Sequence, residues 1–286
     1  MKFTPHQLKE NVNISKTHPL KEFFVLLGGI FGILFIIYLT LGFTLDILVE
    51  RIPTGFEEKL ANFFSERFLW GKSPSEAEKK AQKIVDELSN YIPQKSFTFR
   101  VHIAKDPQVN AVALPAGHIV IYTGLLKKIE SENELTMVLA HELGHYIHRD
   151  HLRGLGRGLV LMLISSFIFG IDSKATEFFI RMLLTADLRF SRRQEMAADK
   201  FALELLNKKY SHVAGAVDLF EHLCKKKGDI PAFFKLLLTH PSYSDRINFI
   251  KEQIDTHKYE IREKIPLNPV FRTLLEEKGV ENRKEG

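Results

Sequence analysis

Between Glu22 and Asp46 the chain runs for 23 residues without a charge, Phe23 to Leu45, rich in Phe, Leu, Ile and Gly. No other feature restricts the fold as strongly. As a helix the run is roughly 34 Å long at about 1.5 Å per residue, and the hydrocarbon core of a bilayer is about 30 Å thick. A cleaved signal peptide has a shorter apolar region, about 7–15 residues, closed by small residues. This run ends Gly42-Phe43-Thr44-Leu45, which offers no such site. Residues 22–45 therefore read as a transmembrane helix in contact with membrane lipid. Lys2, Lys9, Lys16 and Lys21 precede it, and Arg51, Lys59 and Arg67 follow. The small excess before the span favours a cytoplasmic N-terminus. The expectation is a single-pass protein of the cell membrane whose bulk lies outside the cytoplasm, on the periplasmic side.

The chain has 286 residues, 45% of them hydrophobic, enough for one sizeable core besides the span. Charged residues make up 26%, which argues against disorder. The net charge is +5 and the pI about 9.1. Basic residues are scattered among nearly as many acids, with no basic stripe or stacking aromatics, so no nucleic-acid partner is expected. The mild basic bias suits an anionic membrane surface. The single cysteine, Cys224, excludes an intrachain disulfide and a cysteine-based zinc site, and it reads as a structural thiol in a helix.

The reading divides the chain into an N-terminal tail (1–21), the span (22–45), an amphipathic connector (46–73), a folded domain (74–256) and a polar tail (257–286). In the connector Phe56, Leu60, Phe63 and Phe64 recur at helical spacing. Pro74 after Ser73 reads as a helix start, with the helix running to about Tyr91. Phe97 to Ile103 alternates like a strand, and Val109–Leu114 and His118–Tyr122 read as two more, broken by Pro115-Ala116-Gly117. Ser131 and Glu134 form an expected capping box. From there to about Ile254 the pattern is helical. The fold class is α+β, mostly helical with a small sheet, behind one transmembrane helix.

His141-Glu142-Leu143-Gly144-His145 fits H-E-x-x-H inside that capped helix. Residues four apart lie on one helical face, so both imidazoles can meet one zinc ion, while Glu142 projects from the next edge toward a water. Leu135, Leu139 and Leu143 form a separate face that packs inward. A third ligand is needed. His151 has the metzincin spacing, but position 148 is His, not the glycine that turns that chain back, so His151 is expected to face away. His148 lies roughly 10 Å along the axis from His141, too far to close the site. Glu195 is the better candidate. Asp199, four residues on, can accept the second ring N–H of a ligating histidine. Ala197 and Ala198 are small enough to let the two helices approach.

His141–His145 together with Ser191…Glu195…Asp199 resembles the HtpX-like and CAAX-prenyl-endopeptidase family of membrane zinc metallopeptidases. Asn110 to Val120 resembles its edge-strand segment, and Thr239-His240-Pro241…Arg246-Ile247 its C-terminal motif. The resemblance covers about Ser73 to Ile254. It implies a gluzincin-type metalloprotease domain, one Zn2+ per chain, and endopeptidase action on proteins or peptides. It also implies that Asn110, Ala111, Val112 and Ala113 flank the substrate, and that His240 and Arg246 assist catalysis at an oxyanion. HtpX proper has two spans between the histidine and glutamate helices. Here Gly158–Ile171 offers only 14 apolar residues, and a return through Ser173–Leu188 would contain Lys174, Glu177 and Arg181. The region reads instead as a helical hairpin on the domain or the bilayer surface. These departures favour a single-span, extracytoplasmic branch.

The expected chemistry is hydrolysis of internal peptide bonds in unfolded or damaged proteins, with Glu142 as general base. The alternative is a membrane-bound chaperone or assembly factor on the same fold. Oligomeric state is not encoded in any feature above.

Overall fold

The computed structural model describes residues 18–68, 73–93, 98–184, 190–226 and 243–273. Helix α1, Pro19–Leu48, opens on a proline in its first turn and has no buried residue along its length. A helix this apolar with none of its residues buried is suited to lipid. A short 3-10 turn, Val49–Arg51, leads to α2, Thr54–Phe68.

The folded domain begins with α3, Glu76–Ser89, whose true cap is Ser75, two residues after the expected Ser73. Ser75 accepts from the Glu78 N–H while the Glu78 carboxylate accepts from Ser75 N–H at 2.7 Å. Ala77, Ala81, Val85 and Leu88 bury one stripe of α3 in the core.

Strands β1 (Arg100–Ala104), β2 (Ala111–Leu114) and β3 (His118–Tyr122) form a sheet in the order β1-β3-β2. β1 pairs parallel with β3 and β2 antiparallel to it. β2 is thus an edge strand, with all four residues buried on their faces. The tight return between β2 and β3 puts Ala116 and Gly117 at φ 57 and 78. A side chain at Gly117 would run into the Thr98 carbonyl, so glycine is required there.

After the single turn α4, Thr123–Leu126, come α5 (Glu132–Ile147), α6 (Asp150–Phe169), α7 (Lys174–Leu184), α8 (Arg192–Tyr210), α9 (Asp218–Lys226) and α10 (Tyr243–His257). Ser131 caps α5, but the box is not reciprocal. Glu134 reaches the Ser131 hydroxyl and the Glu130 N–H rather than the N–H of Ser131. Leu135, Leu139 and Leu143 are fully buried, as their spacing requires. Cys224 sits half-buried on α9 against the core.

The segment after α10, read from sequence as the start of a polar tail, returns to the domain. Ile265 N donates to Asn133 Oδ1 at 2.8 Å, its carbonyl accepts from Glu132 N, and Phe271 is buried. One phenylalanine between polar stretches is too little pattern to announce a docked strap.

Candidate metal centre

Two antiparallel helices build the centre. α5 and α8 close where Gly144 faces Ala198, and a Cβ placed on Gly144 would stand 3.1 Å from the Ala198 Cα. Ala198 is therefore the residue that permits the approach, while Ala197 points to the exterior. α8 starts from a full capping box, Ser191 with Gln194, so Glu195 falls in its first turn at a fixed rotation.

That closure brings His141, His145 and Glu195 together. The His141 and His145 Nε2 atoms are 3.0 Å apart, and Glu195 oxygens lie 3.6 Å from His141 Nε2 and 3.4 Å from His145 Nε2. One donor atom from each lies within 4.8 Å of the others, and all three side chains are buried. These are the separations of donors arranged around one small cation at about 2.0–2.2 Å from each. Two neutral imidazole nitrogens and one carboxylate are a donor set suited to zinc.

Each imidazole is oriented from behind. Asp199 Oδ1 lies 2.9 Å from His141 Nδ1, the partnership its i,i+4 spacing to Glu195 foretold. The matching partner of His145 is Asp150, with Oδ2 3.0 Å from Nδ1. Sequence reasoning did not find Asp150. The chain leaves α5 through Arg149, in left-handed conformation at φ 58, and only that reversal carries Asp150 back under His145. Gln194 Nε2 donates to the other Asp150 oxygen at 2.6 Å, tying the start of α8 to the same carboxylate. Phe190 stacks on the His145 ring at 4.0 Å between centroids.

His151 is buried but turned from the cluster. Its ring stacks on Tyr146 and faces Glu57 Oε2 at 3.6 Å. The chain does reverse before His151, at Arg149 instead of a glycine, yet the imidazole points toward α2. Glu57, also missed in sequence, is buried in this wall, accepts from Tyr146 Oη at 2.9 Å, and pairs with Arg149 at 3.4 Å. Burial pushes its carboxyl up, but His151 and Tyr146 outweigh that and hold it below the usual range.

Arg246, on α10, lies beside the cluster. Its guanidinium is buried, grips Asp199 with Nε–Oδ2 at 2.8 Å and Nη2–Oδ1 at 2.5 Å, and reaches Glu195 Oε2 at 2.9 Å. Burial alone would raise the Asp199 pKa, yet Arg246 and His141 bring it down to about 2. Burial and Arg246 push His141 down to about 4. Burial also opposes charge on His145, but Asp150 and Glu195 outweigh it and carry this ring up to about 10. The buried acids around His145 thus favour a positive charge at this position, the charge that a cation held by the cluster would supply.

Beside the cluster an open cleft is lined by His141, Glu142 and Arg246 on one side and by Asn110 and Ala111 on another. Leu125, Met137, Leu219 and Phe220 give it an apolar wall. Asn110 and the edge strand therefore do border the cleft that Glu142 lines. Val112 and Ala113 lie further along β2, buried, and are not part of that lining. His240 lies outside the described residues.

A model described as peptidase family M48 matches residues 75–254. Over 163 residues, 55% of this chain, the sequence is 31% identical to the mitochondrial metalloendopeptidase OMA1 of Arabidopsis thaliana. Over 187 residues, 63% of the chain, it is 29% identical to the metalloprotease LoiP of Escherichia coli. The metalloprotease YcaL of Escherichia coli is 27% identical over 185 residues. The matched stretch spans 32% of the length of the Arabidopsis protein and 46% of OMA1 from Schizosaccharomyces pombe, but 71% of LoiP and of YcaL.

Proposed function

The chain belongs to peptidase family M48, and from that premise we propose that it is a membrane-anchored zinc endopeptidase acting on unfolded or damaged proteins. One observation carries the reading. His141, His145 and Glu195 converge on one point, and Glu142 lines the cleft that opens beside it. This match supports the family as a whole and not the CAAX branch of it.

Zinc held by His141, His145 and Glu195 would polarise the scissile carbonyl and lower the pKa of a water to about 7. Glu142 takes the proton of the attacking water on its carboxylate and delivers it to the leaving amine. Asp199 and Asp150 hold the two imidazoles in the tautomer that leaves Nε2 as a donor of its lone pair. Arg246 holds Asp199 and Glu195 in place, and through them the ligand set. His240 would donate to the developing oxyanion, as the resemblance implies. The substrate lies extended along β2, bonding through its main chain to Asn110, Ala111, Val112 and Ala113, with one apolar side chain in the pocket at Leu125, Met137 and Phe220. Main-chain recognition of this sort reads little sequence and requires an unfolded segment. The small excess of lysines before α1 supports a domain outside the cytoplasm.

The test uses the full chain in lipid nanodiscs with a chemically unfolded, fluorescently labelled protein. Glu142→Gln should keep its zinc and cleave at least about 10²-fold more slowly, the scale for loss of a general base. Cleavage at the parent rate would remove Glu142 from the mechanism.

A further inference from the structure

Beyond Asp150, α6 and α7 are not used by the chemistry above, yet among the described residues they carry the largest apolar exposure outside α1. We propose that they form a hairpin that seats its apolar edge in the bilayer leaflet nearest the domain, beside α1, without crossing. This rests on α1 lying in the membrane, and not on the peptidase reading.

The direction of α6 carries the argument. Arg149, just before it, donates to the carbonyls of Val49 and Ile52. One turn on, Arg153 pairs with Glu50 at 3.4 Å and Asp46 at 3.5 Å. Next, Arg157 holds both oxygens of Asp46 at 2.9 Å, and Gly156 packs against the Leu45 side chain. Moving forward along α6 is therefore moving backward along α1, from the domain toward the apolar run. Asp46 is the first charge after that run, so Arg157 stands at its edge and the residues beyond begin at the level of the lipid.

The residues beyond have the character lipid requires. Gly158 to Phe169 carries no charge. Leu159, Leu163 and Phe167, four apart on one face, are 47%, 57% and 87% exposed, and Phe169 and Ile171 continue the patch at 63% and 71%. A patch of this size is costly in water. The polar groups of the hairpin are instead satisfied inside it. The buried Thr176 hydroxyl lies 3.0 Å from the Gly170 carbonyl, at the open end of α6, and 3.1 Å from Ser165 Oγ, and Ser173 donates to it at 3.0 Å. A terminal carbonyl answered within the segment is what a low-dielectric surrounding demands.

Charge and length set the depth. From Gly158 to Phe169 α6 extends roughly 18 Å, against a core of about 30 Å. The tip carries Asp172 and Lys174, and α7 shows an exposed Glu177–Arg181 pair at 2.6 Å. Such charges are costly at mid-bilayer, so the hairpin lies tilted in one leaflet with its charged face toward the headgroups. The occupant of the apolar edge is lipid, because that edge continues the exposed surface of α1. Asp150, the first residue of α6, is also the partner of His145, so the hairpin fixes the metal centre about 10 Å from the membrane edge.

The experiment places a nitrobenzoxadiazole label on single cysteines in the full chain, in a Cys224→Ser background, reconstituted in phosphatidylcholine vesicles. Labels go at Leu163, Phe167 and Ile171, with Leu39 on α1 as lipid reference and Glu252 on α10 as water reference. The three hairpin labels should resemble Leu39: blue-shifted, and quenched at least about threefold more by a nitroxide on an acyl chain than by aqueous iodide. Labels that behave like Glu252 would overturn the proposal. So would labels shielded from both quenchers, which would mean that a second copy of the chain covers the edge. A Leu39 label in water would overturn the placement of α1 and this inference with it, leaving the metal centre untouched.

Discussion

Two antiparallel helix pairs share one packing device and use it in opposite senses. α5 and α8 close on Gly144 against Ala198; α6 and α7 close on Gly158 against Leu183. In the first pair the charges are inside: His145, Glu195 and Asp199 are fully buried, each facing a partner of complementary charge. In the second, hydroxyls are inside and phenylalanines outside. The difference teaches that a glycine contact sets only distance. What surrounds a pair is read from which groups it turns outward. The metal pair expects protein on all sides, and the hairpin expects lipid on one.

The sharpest way to break that contrast is to remove the charge that balances the metal pair. Arg246→Met would leave Asp199 and Glu195 buried beside each other without their cation. Losing one partner of a buried ion group costs about 3–5 kcal/mol, which denaturant unfolding would register, and zinc occupancy should fall with it. Undiminished stability with only slower turnover would move Arg246 from holding the ligands to facing the substrate. Next in size is Gly144→Val. Its new methyls meet the Ala198 backbone, which cannot rotate away, so overpacking should cost about 1–3 kcal/mol and weaken metal retention. The smallest effect belongs to Gly158→Ala. There a Cβ meets the ends of Leu183 and Met182, at 2.7 and 3.3 Å, and those side chains can turn. A helix-propensity gain of about 1 kcal/mol offsets the shift, so thermal unfolding should be nearly unchanged. A cost equal to that of Gly144→Val would show the two closures to be equally rigid.

Much of the metal pair was legible because its information is local. The i,i+4 histidines, the i,i+4 acids Glu195 and Asp199, and the cap at Ser131 each sit within one helix, and the structure brings them together. The three strands were visible for the same reason, through alternation and the Pro115-Ala116-Gly117 break. What sequence did not show depends on one backbone dihedral or on distant partners. Asp150 reaches His145 only through a left-handed Arg149, a conformation no pattern of side chains announces. Glu57 meets Tyr146 across 89 residues, and a lone glutamate in an amphipathic connector looks like any solvated charge. Arg246 lines the cleft beside His141 and Glu142, but the ion pairs of its guanidinium with Asp199 and Glu195 were not foreseen, because those partners lie on a different helix.

The ligand set is the claim on which the rest depends, and metal analysis tests it most directly. Zinc should be counted by plasma mass spectrometry in the purified full chain and in Glu195→Ala and His151→Ala. The account predicts about one zinc per chain in the parent and in His151→Ala, whose imidazole faces Glu57, and a marked loss in Glu195→Ala. Full zinc in Glu195→Ala with loss in His151→Ala would contradict it.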